Sequence, residues 1–167
     1  IDNSKVDSSD YNPKGISNEI TLDHNIIDEN EVYHYLLLLS EMVGKRVRKQ
    51  KKHAKVIAVI IKHKYFIRKT HQKTLDNPTN NTNEIYEISK KLYNEMHNTE
   101  PIRLIGLRLD GLTDKVEHQI SLFDSVIEKE KQSRLDSVID FLKDKYGNNV
   151  IGKASLKSEK CDTKKTD

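Results

Sequence analysis

Hydrophobic and polar positions alternate with two different periods along this chain, and the order of those periods predicts its architecture. Residues 16–22 (Ile-Ser-Asn-Glu-Ile-Thr-Leu) alternate with period two and predict a strand. After it, Val32, Tyr35, Leu36, Leu39 and Val43 recur at helical spacing. Asp28 suits the N-cap with Glu31 three residues on, and the helix runs out in the basic stretch 45–53. Residues 56–64 predict a second strand, with Ile57, Val59 and Ile61 facing one way and Ala58, Ile60 and Lys62 the other. A tight Tyr65-Phe66 connection leads to a third strand over about 67–75, where Thr and the preceding aromatics favour extended backbone. Residues 76–81 read as a loop. Ile85, Ile88, Leu92 and Met96 predict a second helix over about 82–97, and Pro101 ends the turn after it. Residues 102–109 predict a fourth strand with Ile105, Leu107 and Leu109 on its core face.

The expected order is β-α-β-β-α-β, an α+β fold built on a four-stranded sheet. Two helices with single apolar stripes cover only one face of such a sheet. The other face would carry Lys62, Lys64, Arg108 and a share of the basic third strand. This domain is expected over 14–112, behind a polar linker at 1–13. Starting at Ile1 with no methionine, the chain reads as a piece of something larger. Ser125 and Glu128 predict a capping box for a last helix within 125–147, with Leu135, Val138, Ile139 and Leu142 as a narrow apolar stripe and Gly147 as its stop. Residues 113–124 join the two, and 148–167 form a polar tail, expected to be disordered from Ser158 onward.

Composition narrows the function classes. Hydrophobic residues make up 35% and charged residues 33%, so the core is modest and the surface heavily charged. The longest apolar run, residues 56–61, falls far short of the roughly 18 residues that span a membrane. Cys161 is the single cysteine, which excludes an internal disulfide and fits a cytoplasmic protein. The net charge of +3 hides an asymmetry. Residues 45–73 hold twelve Lys and Arg and no Asp or Glu, while the remaining seventeen basic residues face all 26 acidic ones. Positive charge segregated in this way favours a polyanion partner. The carboxylates are scattered, with no Asp-x-Asp pair ending an apolar strand, and there is no Gly-rich phosphate loop. The seven histidines lack metal-ligand spacing, so no catalytic or metal-binding residue is expected.

The pentapeptide Gln119-Ile120-Ser121-Leu122-Phe123 resembles the motif by which bacterial DNA polymerases and repair proteins hold the sliding clamp. Leu122 and Phe123 are adjacent apolar anchors, and the Gln119 amide suits fixing register. More of the chain, about 1–123, resembles the C-terminal little finger domain of Y-family translesion DNA polymerases of the DinB/UmuC type. Residues 73–79 (Lys-Thr-Leu-Asp-Asn-Pro-Thr) are similar to the family's Arg-Thr-Leu-x-x-Pro-Thr. Residues 101–109 (Pro-Ile-Arg-Leu-Ile-Gly-Leu-Arg-Leu) are similar to its Pro-Val-Arg-Leu-Leu-Gly-Val-x-Leu. Residues 13–18 resemble the segment entering the little finger, and Ile1, Asp2 and Val6 the end of the thumb. The closing helix with Lys145, Tyr146 and Gly147 is similar to Gram-positive UmuC-like repair proteins. Three positions depart: Ile60 stands where a basic residue is expected, His71 where Arg is usual, and Gly15 where Ser is usual.

The resemblance implies a domain that grips primer–template duplex in the major groove by its phosphates, without reading bases. Its DNA contacts would be Lys14, Gly15, Ser17, Lys62, Lys64, Arg68, Lys69, Thr70, His71, Lys73 and Arg108. Its clamp contacts would be Gln119, Ile120, Ser121, Leu122 and Phe123, within a clamp-binding segment over 113–124. It further implies a role in DNA repair and the SOS response, no cofactor on this part, and Mg2+ in a palm domain that precedes it. Other readings exist. An RNA-recognition module needs aromatics on its central strands, whereas Tyr65 and Phe66 fall at a turn. A ferredoxin-like interaction domain sits poorly with the carboxylate-free basic segment. A non-catalytic polymerase homologue is compatible with every residue here.

Overall fold

A computed structural model describes residues 14–114, 125–147 and 150–156. The lead-in 1–13, the pentapeptide 119–123 and residues 157–167 lie outside the described residues, as do the side chains of Ser125 and Glu128. The elements follow in the expected order: β1 (Gly15–Ile26), α1 (Glu29–Lys49), β2 (His53–His63), β3 (Arg68–Thr79), α2 (Thr82–Glu95), β4 (Ile102–Thr113) and, further on, α3 (Ser125–Tyr146). The strands form one antiparallel sheet in the order β1-β4-β2-β3.

Alternation decides which face is covered. Ile57, Val59 and Ile61 of β2 and Ile105, Leu107 and Leu109 of β4 are buried in one cluster with Val32, Leu36, Leu39 and Val43 of α1 and Ile85 and Leu92 of α2. Burial of each such side chain contributes about 1.5–3 kcal/mol. Helix α1 lies against β1 and β4, and α2 against β2 and β3, so both helices share one side. Each helix begins at a polar cap. The Asp28 carboxylate accepts the Asn30 N–H at 3.1 Å, and the Asn81 side-chain oxygen accepts the Glu84 N–H at 3.0 Å. Caps of this kind contribute about 1 kcal/mol each.

The third strand is longer than its composition suggests. It continues through residues 76–79, where a loop was expected, after a register shift between Thr74 and Thr79. Strand β3 is at the sheet edge, and an edge tolerates the missing N–H of Pro78.

Helix α3 departs from expectation in a more consequential way. Its expected apolar stripe is split: Leu135 is 50% exposed and Val138 54%, while Ile139 and Leu142 are half-buried. Alongside them the helix turns acidic side chains toward the basic end of α1. Arg48 Nε donates to Asp140 Oδ2 at 2.7 Å, and its Nη1 lies 3.5 Å from Asp136 Oδ2. Lys143 meets Glu41 at 2.9 Å, and Lys45 meets Asp144 at 2.6 Å. Asp136, 5% exposed, also accepts the Thr82 N–H at 3.0 Å and so closes the first turn of α2. The apolar stripe of α1 is already committed to the sheet, so its outer side offers charge rather than hydrocarbon. Beyond α3, Lys153 donates to Asn83, and the short turn Ala154–Leu156 lies against α1.

Replacing Arg48 by Ala leaves Asp136 and Asp140 without their shared cation. The local stability of α3 is expected to fall by about 3 kcal/mol. Amide exchange over residues 131–146 should accelerate while the sheet keeps its protection. The hydrogen bond from Lys45 lowers the Asp144 carboxyl below its usual range. A carboxylate so shifted stabilises above its unfolded pKa and ceases to as pH falls through the folded value, so α3 protection is expected to weaken below about pH 4.

Candidate nucleic-acid interface

The helix-free face is laid out by strand register. Thr21, Leu104, Lys62 and Arg68 form one cross-strand row, and Glu19, Gly106, Ile60 and Thr70 the next. Ser17, Arg108, Ala58 and Gln72 form a third, and Gly15, Asp110, Val56 and Thr74 a fourth. Directly opposed residues share a face. Ser17, Lys62, Arg68, Thr70 and Arg108 therefore stand on one surface. Lys14 is exposed just ahead of β1, and Lys64 is exposed in the β2–β3 turn.

Lys69, His71 and Lys73 do not join them. They pair with Ile61, Val59 and Ile57, whose side chains enter the core, so they project from the helix side along the β3 edge. There His71 Nε2 lies 2.8 Å from Glu95 Oε2 at the end of α2. A period of two forbids a strand from presenting consecutive residues to one face. The basic run 45–73 is divided in the same way by the fold. Three of its α1 cations are held internally, Lys45 and Arg48 by α3 and Arg46 by the Ser17 carbonyl at 2.9 Å, while Lys49 is exposed.

The middle of the open face is low. A Cβ on Gly106 would come within 2.7 Å of Glu19 Cγ, so the missing side chain makes room for Glu19 to lie across the sheet. Glu19 reaches from β1 over β4 and β2 to Arg68 of β3, at 2.6 Å. Ile60, in the row of Glu19 and Gly106, is only 1% exposed, although no helix covers this side. At the other end, Arg108 Nε lies 2.7 Å from Asp110 Oδ2, off the line of a good hydrogen bond, so the contact is electrostatic. A Cβ on Gly15 would meet Asp110 Oδ1 at 2.0 Å, so any side chain there would have to displace that carboxylate.

Glu19 and Asp110 are the site residues that sequence reasoning missed. Cations that hold carboxylates at these distances can hold phosphate oxygens by the same charge-assisted contacts. Among the described residues, no group of three or more His, Cys, Asp or Glu is placed to hold a metal ion, and no helix is long and apolar enough to cross a membrane. The clamp-like residues Gln119 to Phe123 fall outside the description, and α3 begins two positions after them, at Ser125.

Residues 13–122 match the model of the impB/mucB/samB family C-terminal domain. The chain is 38% identical over 156 residues to the DNA polymerase IV of Clostridium acetobutylicum, an alignment covering 93% of this chain and 39% of that protein. It is 30% identical over 159 residues to DNA polymerase IV 1 of Bacillus subtilis, covering 93% and 38%. The chain thus spans about two fifths of the length of these curated relatives. Among solved structures, it matches the little finger domain of PolIV in complex with the beta-clamp processivity factor, with a TM-score of 0.51 and 21% identity over 65% of this chain and 97% of that one. An insertion ternary complex of Dbh DNA polymerase matches with a TM-score of 0.54 and 18% identity over 60% of this chain and 29% of that one. These structures share its fold, a four-stranded antiparallel sheet with its helices on one side. The chain belongs to the impB/mucB/samB family through its C-terminal domain, the little finger of the Y-family DNA polymerases.

Proposed function

We propose that this chain is the DNA-gripping and clamp-tethering part of a translesion polymerase, holding the backbone of primer–template duplex from the major groove. The observation that carries this reading is the helix-free face on which Lys62, Arg68 and Arg108 stand beside Ser17 and Thr70. Lys, Arg and hydroxyl groups grip phosphates without reading sequence, which suits an enzyme that must copy damaged templates. Arg68 and Arg108 each rest on a carboxylate, Glu19 and Asp110. An arriving phosphate takes the carboxylate's place at a guanidinium already oriented for it. Lys14, the Gly15 amide and Lys64 would meet the duplex at the rim. Lys69, His71 and Lys73 would take part where the nucleic acid wraps the β3 edge.

Phosphoryl transfer needs carboxylates converging on Mg2+. On this reading they belong to the palm domain of the longer protein, and this domain supplies grip and position. Leu122 and Phe123 would anchor on a bacterial sliding clamp, with Gln119, Ile120 and Ser121 setting register. The solved complex of the PolIV little finger domain with the beta-clamp processivity factor supports the pairing by family likeness. A tether of this kind turns later encounters with DNA into intramolecular ones at effective concentrations of about millimolar.

Two measurements test the proposal. Replacing Lys62, Arg68 and Arg108 together by Ala should weaken duplex binding roughly tenfold or more and lower the salt slope by about 3, read by fluorescence anisotropy. Glu19→Gln, which frees Arg68, should strengthen it, and unchanged affinity in the triple variant contradicts the sheet-face reading. Separately, Leu122→Ala with Phe123→Ala should remove binding to the clamp and leave DNA binding intact. Retained clamp binding would overturn the motif.

A further inference from the structure

The turn between β2 and β3 presents its apolar side chains in an unusual way. The Phe66 N–H donates to the His63 carbonyl at 2.9 Å, and the His63 N–H donates to the Ile67 carbonyl at 2.9 Å. Lys64, Tyr65 and Phe66 therefore close the hairpin, with Phe66 at φ 66°. That left-handed position in a three-residue loop is ordinarily filled by glycine, because a side chain there is strained. Strain kept at such a site points toward function. Its result is three consecutive apolar residues in solvent: Tyr65 is 66% exposed, Phe66 62% and Ile67 57%.

Each ring carries cations. Lys64 Nζ lies 4.8 Å from the centre of the Tyr65 ring. Lys62 Nζ lies 4.8 Å and Arg103 Cζ 5.1 Å from that of Phe66. Lys62 also stands in the row of Arg68, so the tip is continuous with the open face. Exposed rings set among Lys and Arg have the chemistry of a single-strand platform: bases stack on the rings and phosphates meet the cations. An ammonium over a ring gives way to a base and turns to that nucleotide's phosphate. An apolar protein surface would have to desolvate the same cations without pairing them.

We propose that the Tyr65–Phe66 tip is a stacking site for unpaired bases of the strand that continues beyond a duplex held on the open face. It rests on the duplex-binding reading above. The test compares, by fluorescence anisotropy, a blunt duplex with the same duplex carrying a short oligothymidine overhang. The chain is used as it stands and as Tyr65→Ala with Phe66→Gly. Glycine suits the left-handed position, so the hairpin should persist, and thermal melting within a few degrees of the original chain checks that it does. The original chain should prefer the overhang about tenfold. The variant should lose that preference and bind blunt duplex as before. Equal binding of both probes by the original chain, or a preference kept by the variant, overturns the stacking site and leaves the duplex reading standing; a tip serving another protein surface would give this result. If neither probe binds, both readings fall.

Discussion

Two helices that close one side of a four-stranded sheet leave its other side to whatever the alternating positions place there. In this chain the inward positions of β2 and β4 are Ile, Val and Leu, and they fix which side the helices take. Everything proposed for the interface follows from that choice. Once Ile57, Val59 and Ile61 face the helices, Lys62 faces away, and register brings Arg68, Thr70, Arg108 and Ser17 to the same surface. A one-residue slip would exchange the two sets and bury charge, so packing and interface are specified together.

The same constraint divides the basic charge. On α1, Lys45 and Arg48 face α3 and pair with Asp136, Asp140 and Asp144. On the open face, Arg68 pairs with Glu19 and Arg108 with Asp110. A charge excess that looks like one block in sequence therefore serves two ends: one share fastens a helix, and the other stays accessible to a polyanion. Helix α3 begins at Ser125, and Arg48 fastens it to α1 through Asp140.

The sheet and its two helices were legible because their signals are local. Period-two runs at 57–61 and 105–109, and the cap at Asp28, each follow from a few neighbouring residues. The contacts that were not legible join distant residues by charge. Arg48 and Asp140 are 92 positions apart, and Glu19 and Arg68 are 49 apart. Nothing in a hydrophobic pattern pairs them. Leu135 and Val138 misled for a related reason: an apolar stripe predicts burial only where an apolar surface remains to receive it. Among the proposed DNA contacts, the basic character of β3 was readable. Its division between two faces required the register with β2.

The central claim is that nucleic acid meets the helix-free face. Backbone amide shifts recorded as duplex DNA is added to the chain test it most directly. The account predicts shifts concentrated at Ser17, Lys62, Arg68, Thr70 and Arg108, with the outer side of α1 and all of α3 unmoved. Shifts centred on Lys45, Arg48 and α3, with the open face silent, would contradict it.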